Sequence, residues 1–398
     1  MSLATPTFVH GYRPGTVHFG RGSIDDVATA LDDHGCDRAL VVTGRNVGAN
    51  DAVMGPLLAG ADDRIAGVFD ETTPEKRLET VFDGIERATA LEADAVIGVG
   101  GGSSLDVATG IAALANTDYT LEEARREVIA DGTLSVAAPD DLLPMVSVPT
   151  TLAGADLSVA AGLVAASDDG PVEVIISDES LMPEALVYDP DLFDATPVDV
   201  LTGSAINGFD KGVEAVYSRF SNPVVDSTAV RGLRYLRSSL PKLRDGVDPA
   251  VMERAVLGTV LVQYGVSVPD AYKINVVHAF GHALRNEFGI QQGVAHAVVV
   301  PHALRLIFAE GGGRPEVLAE GLVTDPDPDD PAAAVVESVE TVRDGLGLPS
   351  RLRDVEGTSE DGLPAAARRV ADDEFLEIGP PSFDPSVDEI EATLRDAW

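Results

Sequence analysis

Apolar and polar positions follow two different rhythms along this chain. Up to about residue 190, short unbroken apolar runs rich in β-branched residues alternate with segments of helical period. Strands are predicted at residues 16–19, 38–43, 64–68, 95–99, 144–148, 162–166, 172–176 and 185–188, with helices at 23–33, at 75–91 and directly after the run at 95–99. Apolar runs that do not alternate are what strands buried on both faces need, so the pattern predicts a mostly parallel α/β sheet of Rossmann-like kind. From Asp191 onward the period becomes helical and strand signals fade. The expected division is an α/β domain at residues 1–192 and an all-α domain at 193–398. Residues 311–313 and the acidic, proline-rich run 325–331 read as surface connections, and no internal repeat is visible.

The α/β half is organised around residues 95–106, AVIGVGGGSSLD. A buried strand runs into Gly100, Gly101 and Gly102, and a helix is expected to begin with Ser103 or Ser104 as its cap, followed by Leu105, Ala108, Ile111 and Ala112 on one apolar face. A phosphate approaches backbone N–H groups closely only where no Cβ intervenes, and a helix N-terminus adds partial positive charge. This stretch therefore reads as a pyrophosphate site, the alternative being a tight turn with nothing bound. Gly44 and Arg45 close the strand 38–43, where a dinucleotide fold commonly places an acidic residue against the ribose 2′-OH. A glycine and an arginine leave room and positive charge for a 2′-phosphate, which favours NADP over NAD. Thr150 and Thr151 follow the strand 144–148 and offer hydroxyl and amide donors.

Composition narrows the partners. The chain has 398 residues and a net charge of −38, with acidic residues spread along its whole length. Such a surface repels nucleic-acid phosphates and anionic lipid, and its distribution suggests adaptation to high salt, where screening confines repulsion to about 3 Å. Only four lysines occur, Lys76, Lys211, Lys242 and Lys273. The single cysteine, Cys36, excludes an intramolecular disulfide and fits a reducing cytoplasm. No unbroken apolar run approaches 18 residues and the first residues lack a basic segment followed by an apolar core, so neither a membrane span nor a signal peptide is expected.

Four of the seven histidines, His278, His282, His296 and His302, fall within VVHAFGHALRNEFGIQQGVAHAVVVPHAL. His278 and His282 are four apart and share a helix face, a spacing compatible with a metal site and equally with ordinary packing. Together with GGGSSLD, PTT after the following strand, and ISDESLMPEALVYDPDL, this stretch resembles the iron-containing, or group III, alcohol dehydrogenase family over nearly the entire chain. The resemblance implies a nucleotide-binding α/β domain, a helical domain, and hydride transfer between a nicotinamide and a small carbonyl or alcohol. Ser103, Asp106, Thr150 and Thr151 match the family's cofactor-binding positions. Thr109 and Glu173 stand where relatives often carry lysines.

The resemblance also implies a divalent metal held by an aspartate and three histidines. Threaded on Glu214, this chain has Asn207 at the aspartate position, Lys211 at the first histidine, His278 at the second and Gln292 at the third. A carboxamide is a poor ligand for iron or zinc, and a lysine, with an ordinary pKa of about 10.4, repels a cation. No metal is therefore expected, and the asparagine resembles the metal-free maleylacetate reductase branch. Lys211 is expected to take over the metal's electrostatic task by hydrogen-bonding the substrate oxygen, with His282 relaying a proton and His278 bonding substrate or Asn207. Lys273 and Arg285 flank the same helix and are candidates to receive a substrate carboxylate. His296 and His302 are expected to serve packing, beside an apolar strand-like run.

The leading expectation is a metal-independent NAD(P)-dependent reductase of a small, perhaps anionic, carbonyl compound, with a homodimer as the default assembly. Its competitors are a metal-dependent dehydrogenase with rearranged ligands, a lyase of the dehydroquinate synthase type, and a nucleotide-binding protein without catalysis.

Overall fold

The computed structural model describes residues 7–167, 170–246, 248–268, 271, 273–325, 328–381 and 383–398. Residues 1–6 and part of the predicted connection 325–331 lie outside them.

Among the described residues eight strands form, all before residue 189: β1 (Thr16–Phe19), β2 (Ala39–Gly44), β3 (Ile65–Thr72), β4 (Ala95–Gly100), β5 (Met145–Pro149), β6 (Ala160–Ala165), β7 (Val172–Ser177) and β8 (Ala185–Tyr188). Six of them make one sheet in the order β1-β8-β5-β4-β2-β3, and every pairing is parallel. β6 and β7 pair antiparallel in a separate two-stranded sheet, a hairpin that the apolar pattern alone placed with the parallel strands.

The unbroken apolar runs are explained by burial on both faces. In β2, Leu40 and Val42 enter one core cluster with Phe69, Leu78, Val96 and Ile111, whereas Ala39 and Val41 enter another with Ile24, Val27, Ile97 and Val148. Successive side chains of a strand point to opposite faces, so a strand covered on both sides has no polar face to show.

The strand order also fixes where a ligand belongs. From β2 the chain winds outward to β3, and from β4 it winds the other way through β5 to β8. The switch point therefore lies between β2 and β4, and a doubly wound sheet places its ligand crevice at the carboxyl ends of such strands. Those ends are Gly44 and Gly100.

Two compact units result. One comprises residues 13–151 and 155–196; the other comprises the described residues before Arg13, residues 152–154, and 197–398. The short piece 152–154 thus belongs with the helices, although its sequence neighbours belong with the sheet. The expected division at 192 did not anticipate either of the two stretches that join the helical unit early.

In that unit the helices Val198–Tyr217, Val276–Phe288 and Gln292–Ala309 carry the polar groups of interest. The apolar strand-like run expected beside His296 and His302 is helical, because an apolar run buried on every side carries no period with which to tell the two apart. Gln292–Ala309 is also the one described helix long and apolar enough to cross a membrane by length and composition, and 56% of it is buried inside the protein, as in a core helix.

Candidate active site

At the end of β4 the glycines do different things. Gly100 has φ +131°, a backbone open mainly to glycine, and a Cβ there would press on the Ser104 side chain at 3.2 Å. Gly101, not a serine, caps the helix Gly102–Leu114, and no side chain satisfies its first turn. Ser104 instead shares a 2.8 Å hydrogen bond with the Thr72 hydroxyl. The Ser104 N–H donates to the Gly101 carbonyl at 3.0 Å, and Gly101 has no side chain to satisfy the N–H groups of Gly102 and Ser103.

The predicted nucleotide residues gather here. Thr150 donates its N–H to the Gly100 carbonyl at 2.9 Å. Side-chain atoms of Thr151 lie 3.2–3.4 Å from where a Gly101 Cβ would stand, and Ala155 lies 3.3 Å from that of Gly102. Gly44 faces Thr72 and Ser104, while Arg45 opens a short helix with its side chain exposed. Ser103 lies in the first helical turn, and Asp106, one turn on, pairs with Lys76 at 2.5 Å. This cradle of small residues is one that added Cβ atoms would fill, and it fits a dinucleotide's phosphates.

The second group is built from side chains. Asn207 and Lys211 lie one turn apart on the helix Val198–Tyr217. Asn207 donates its amide to the Ala153 carbonyl at 3.3 Å, the Lys211 ammonium donates to the Gly154 carbonyl, and Leu152 donates its N–H to the Ser204 hydroxyl at 3.2 Å. Gly208 makes this close approach possible, since a Cβ there would collide with the Leu152 carbonyl. Segment 152–154 is thereby strapped to the helix by three hydrogen bonds. The Asn207 carboxamide oxygen is buried without a partner.

Around Lys211, three histidines each bond a carboxylate through Nδ1. His278 pairs with Glu214, which also accepts the His278 backbone N–H at 3.1 Å. His296 pairs with Asp210 at 3.1 Å, and His282 with Asp373 at 3.2 Å. The first two pairs are buried; His282 and Asp373 are partly exposed. The His278 ring meets the His296 ring edge to face, 4.5 Å between centroids, and lies 6.3 Å from His282. The Gln292 amide reaches His296 Nε2 at 3.4 Å. Gly281 is required beside this array, because a Cβ there would strike the His296 ring.

Burial sets the charges. It raises the Glu214 carboxyl to about 8, against which backbone N–H donors work, and holds Asp210 well above the carboxylate range, with Glu214 adding to the effect. Burial and then the charge of Lys211 depress His278; burial and the neighbouring histidines depress His296, with Lys211 a smaller contribution. Each buried pair is thus favoured as a protonated carboxyl against an unprotonated imidazole, without net charge.

His296, expected to serve packing, is fully buried and in addition pairs with Asp210, a partner that was not foreseen. Asp210, Asp373 and Lys76 were not singled out. A signal was present for Asp210 and Glu214, two acids four apart on a helix face that also carries Ile206 and Tyr217, since like charges at that spacing oppose a helix unless neutralised. Lys273 does not await a substrate carboxylate. It is fully buried, donates to the Ala271 carbonyl at 2.7 Å, and burial lowers it to about 8. Arg285 is half-buried, and His302, half-buried too, is lowered by burial to about 4.

The donor set does not suit a divalent metal. Among the described residues no group of three or more His, Cys, Asp or Glu side chains is placed to hold one. Glu214 and Asp210 are engaged by histidines, Asn207 offers only an amide oxygen, and Lys211 brings positive charge.

Comparisons with known proteins agree with this fold. Maleylacetate reductase of Sphingobium indicum is 27% identical over 298 residues, covering 75% of this chain and 74% of that protein. A crystal structure of 1,3-propanediol oxidoreductase superposes with a TM-score of 0.86 at 24% identity, covering 98% of this chain and all of that one. A structure of sulfoacetaldehyde reductase from Bifidobacterium kashiwanohense in complex with NAD+ gives 0.85 at 20% identity, over 98% and 99% of the two chains. The description "Iron-containing alcohol dehydrogenase" matches residues 14–190, and "Fe-containing alcohol dehydrogenase family, C-terminal" matches residues 202–398. With nearly the whole chain matched, the protein belongs to the iron-containing alcohol dehydrogenase family of oxidoreductases.

Proposed function

We propose that this protein reduces a small carbonyl compound with NADPH or NADH, NADPH being favoured, and that the Lys211 ammonium takes the place of a divalent metal. The observation that carries the reading is the buried Lys211 ammonium close to the His278–Glu214 and His296–Asp210 pairs, at a position where the resemblance implies a metal ligand.

The bound cofactor would supply hydride. Gly100, Gly101, Gly102 and Ser103 present backbone N–H groups to its phosphates, Thr150 and Thr151 support that turn, Asp106 adjoins it, and Gly44 with Arg45 leaves a place for a 2′-phosphate. The Lys211 ammonium donates to the Gly154 carbonyl and, as a group with three N–H donors, can donate to more than one oxygen. Its proposed part is to donate to the substrate oxygen as negative charge develops there, a stabilisation on the order of 3 kcal/mol in a dry site. Glu214 and Asp210 hold the imidazoles of His278 and His296 by their Nδ1 atoms, so that each ring has a fixed direction. His282, on partly exposed Asp373, is placed to return a proton from solvent, and Asn207 offers its unpartnered oxygen to a substrate hydroxyl. The names of the relatives, reductases of maleylacetate and of sulfoacetaldehyde, support a small carbonyl substrate.

The test is oxidation of NADPH and NADH by a panel of aldehydes and oxo acids, before and after dialysis against a chelator, with metal content measured on the same sample. Turnover that survives with sub-stoichiometric metal is expected. Stoichiometric iron or zinc whose removal abolishes turnover overturns the lysine reading, and absence of any turnover points to a nucleotide-binding protein.

A further inference from the structure

Lys76 was expected inside a helix spanning 75–91, yet the helix begins only at Leu78. Lys76 lies in the preceding loop with φ +50°, a left-handed conformation that costs a non-glycine residue about 1 kcal/mol or more. The loop is held in that shape. The Lys76 N–H donates to the Thr73 carbonyl at 3.1 Å, its carbonyl accepts from Val164 N–H at 2.9 Å, and Thr72 at the loop's base is tied to Ser104. The result carries the ammonium to Asp106, itself 8% exposed.

Asp106 lies four residues beyond Gly102, on the same helix face, one turn from the N–H groups that open the glycine helix. Asp106 matches a cofactor-binding position by resemblance, yet its carboxylate opposes an arriving pyrophosphate unless the charge is neutralised. The chain carries a net −38 and only four lysines, so positive charge here is scarce.

Resting on the nucleotide reading above, we infer that Lys76 is a positioning residue of the cofactor site: by neutralising Asp106 from a strained loop, it makes the glycine turn hospitable to the phosphates of a nicotinamide dinucleotide.

The experiment measures binding, not turnover, by fluorescence titration with NADPH and with NADH in the full chain at fixed KCl. Lys76→Asn removes the charge while suiting a left-handed backbone. It is expected to raise both dissociation constants roughly ten-fold, the scale of one partly screened charge near a phosphate, with thermal stability little changed. Lys76→Arg should bind within about two-fold of wild type, and adding Asp106→Asn to Lys76→Asn should recover most of the loss. The recovery is the reading a merely structural loop would not give. Unchanged binding by Lys76→Asn, or no recovery in the double variant, overturns the inference alone. A wild-type chain that binds neither nucleotide overturns the cofactor reading and this inference with it.

Discussion

The end of β4 and the histidine array are two polar sites built by opposite means. The first is made of backbone and small residues: Gly100, Gly101, Gly102, Thr150 and Thr151 shape a cradle in which the chemistry belongs to peptide N–H groups. The second is made of long side chains from separate helices, Lys211, Glu214, Asp210, His278 and His296, each aimed by another. A backbone site is encoded by what is missing, namely Cβ atoms, and that is written in a few consecutive letters. A side-chain site is encoded by partners, and these lie 64 and 86 positions apart in the two buried pairs. The first tolerates change at its rim, whereas the second fails when one member is removed.

The largest effect that sharpens this contrast is on Lys211. Lys211→Met should lower kcat roughly a thousand-fold, about 4 kcal/mol, while nucleotide binding stays within two-fold. Wild-type kcat in that variant would leave the array with no part in the chemistry. Next is the buried pair. His296→Phe keeps a ring beside Gly281 but leaves Asp210 without its partner, and should cost about 2–3 kcal/mol in denaturant unfolding. Adding Asp210→Leu should return part of this, and purely additive losses would show that the two residues do not act as a unit.

A pH series gives a smaller effect. Glu214 binds its proton at about 8 in the folded chain against 4.5 in the ordinary group. A raised folded value means that this group's contribution is complete below about pH 4.5 and is lost as pH rises through 8. Glu214→Gln should therefore flatten the decline of stability between pH 5 and 8, by at most about 1.4 kcal/mol per pH unit. Parallel slopes in variant and wild type would show that burial does not hold the proton. The smallest change is expected at the rim of the cradle: Arg45→Ala should weaken NADPH about five-fold, ~1 kcal/mol, and leave NADH unaffected. Equal weakening of both would assign Arg45 to the common phosphates, and no change would remove it from the site.

Much of the fold was legible because its signals are local. The runs at 16–19 and 185–188 became β1 and β8 without adjustment, and the other strands of the parallel sheet shifted by a residue or a few at their ends. The strands β6 and β7 were found, but not their antiparallel pairing in a sheet of their own, since pairing partners are chosen by packing. The helix expected to be capped by serine is capped by Gly101, and the Ser104 hydroxyl is engaged instead by Thr72, a partner that sequence neighbours do not reveal. Lys76 was placed within a helix but lies in the loop before it, and the pairings of Lys76 with Asp106 and of His296 with Asp210 were not foreseen, since nothing near either residue in the chain names its partner.

By itself, the sequence determined the alternation of strands and helices, the change to a helical second half and the glycine turn. These follow from side-chain period and from steric freedom at glycine, properties that neighbours in the chain decide. The tertiary structure alone decided which acid meets which base: Glu214 with His278, Asp210 with His296, Asp373 with His282 and Lys76 with Asp106. Charge pairing and burial depend on distance through space, and only the packed chain sets that distance.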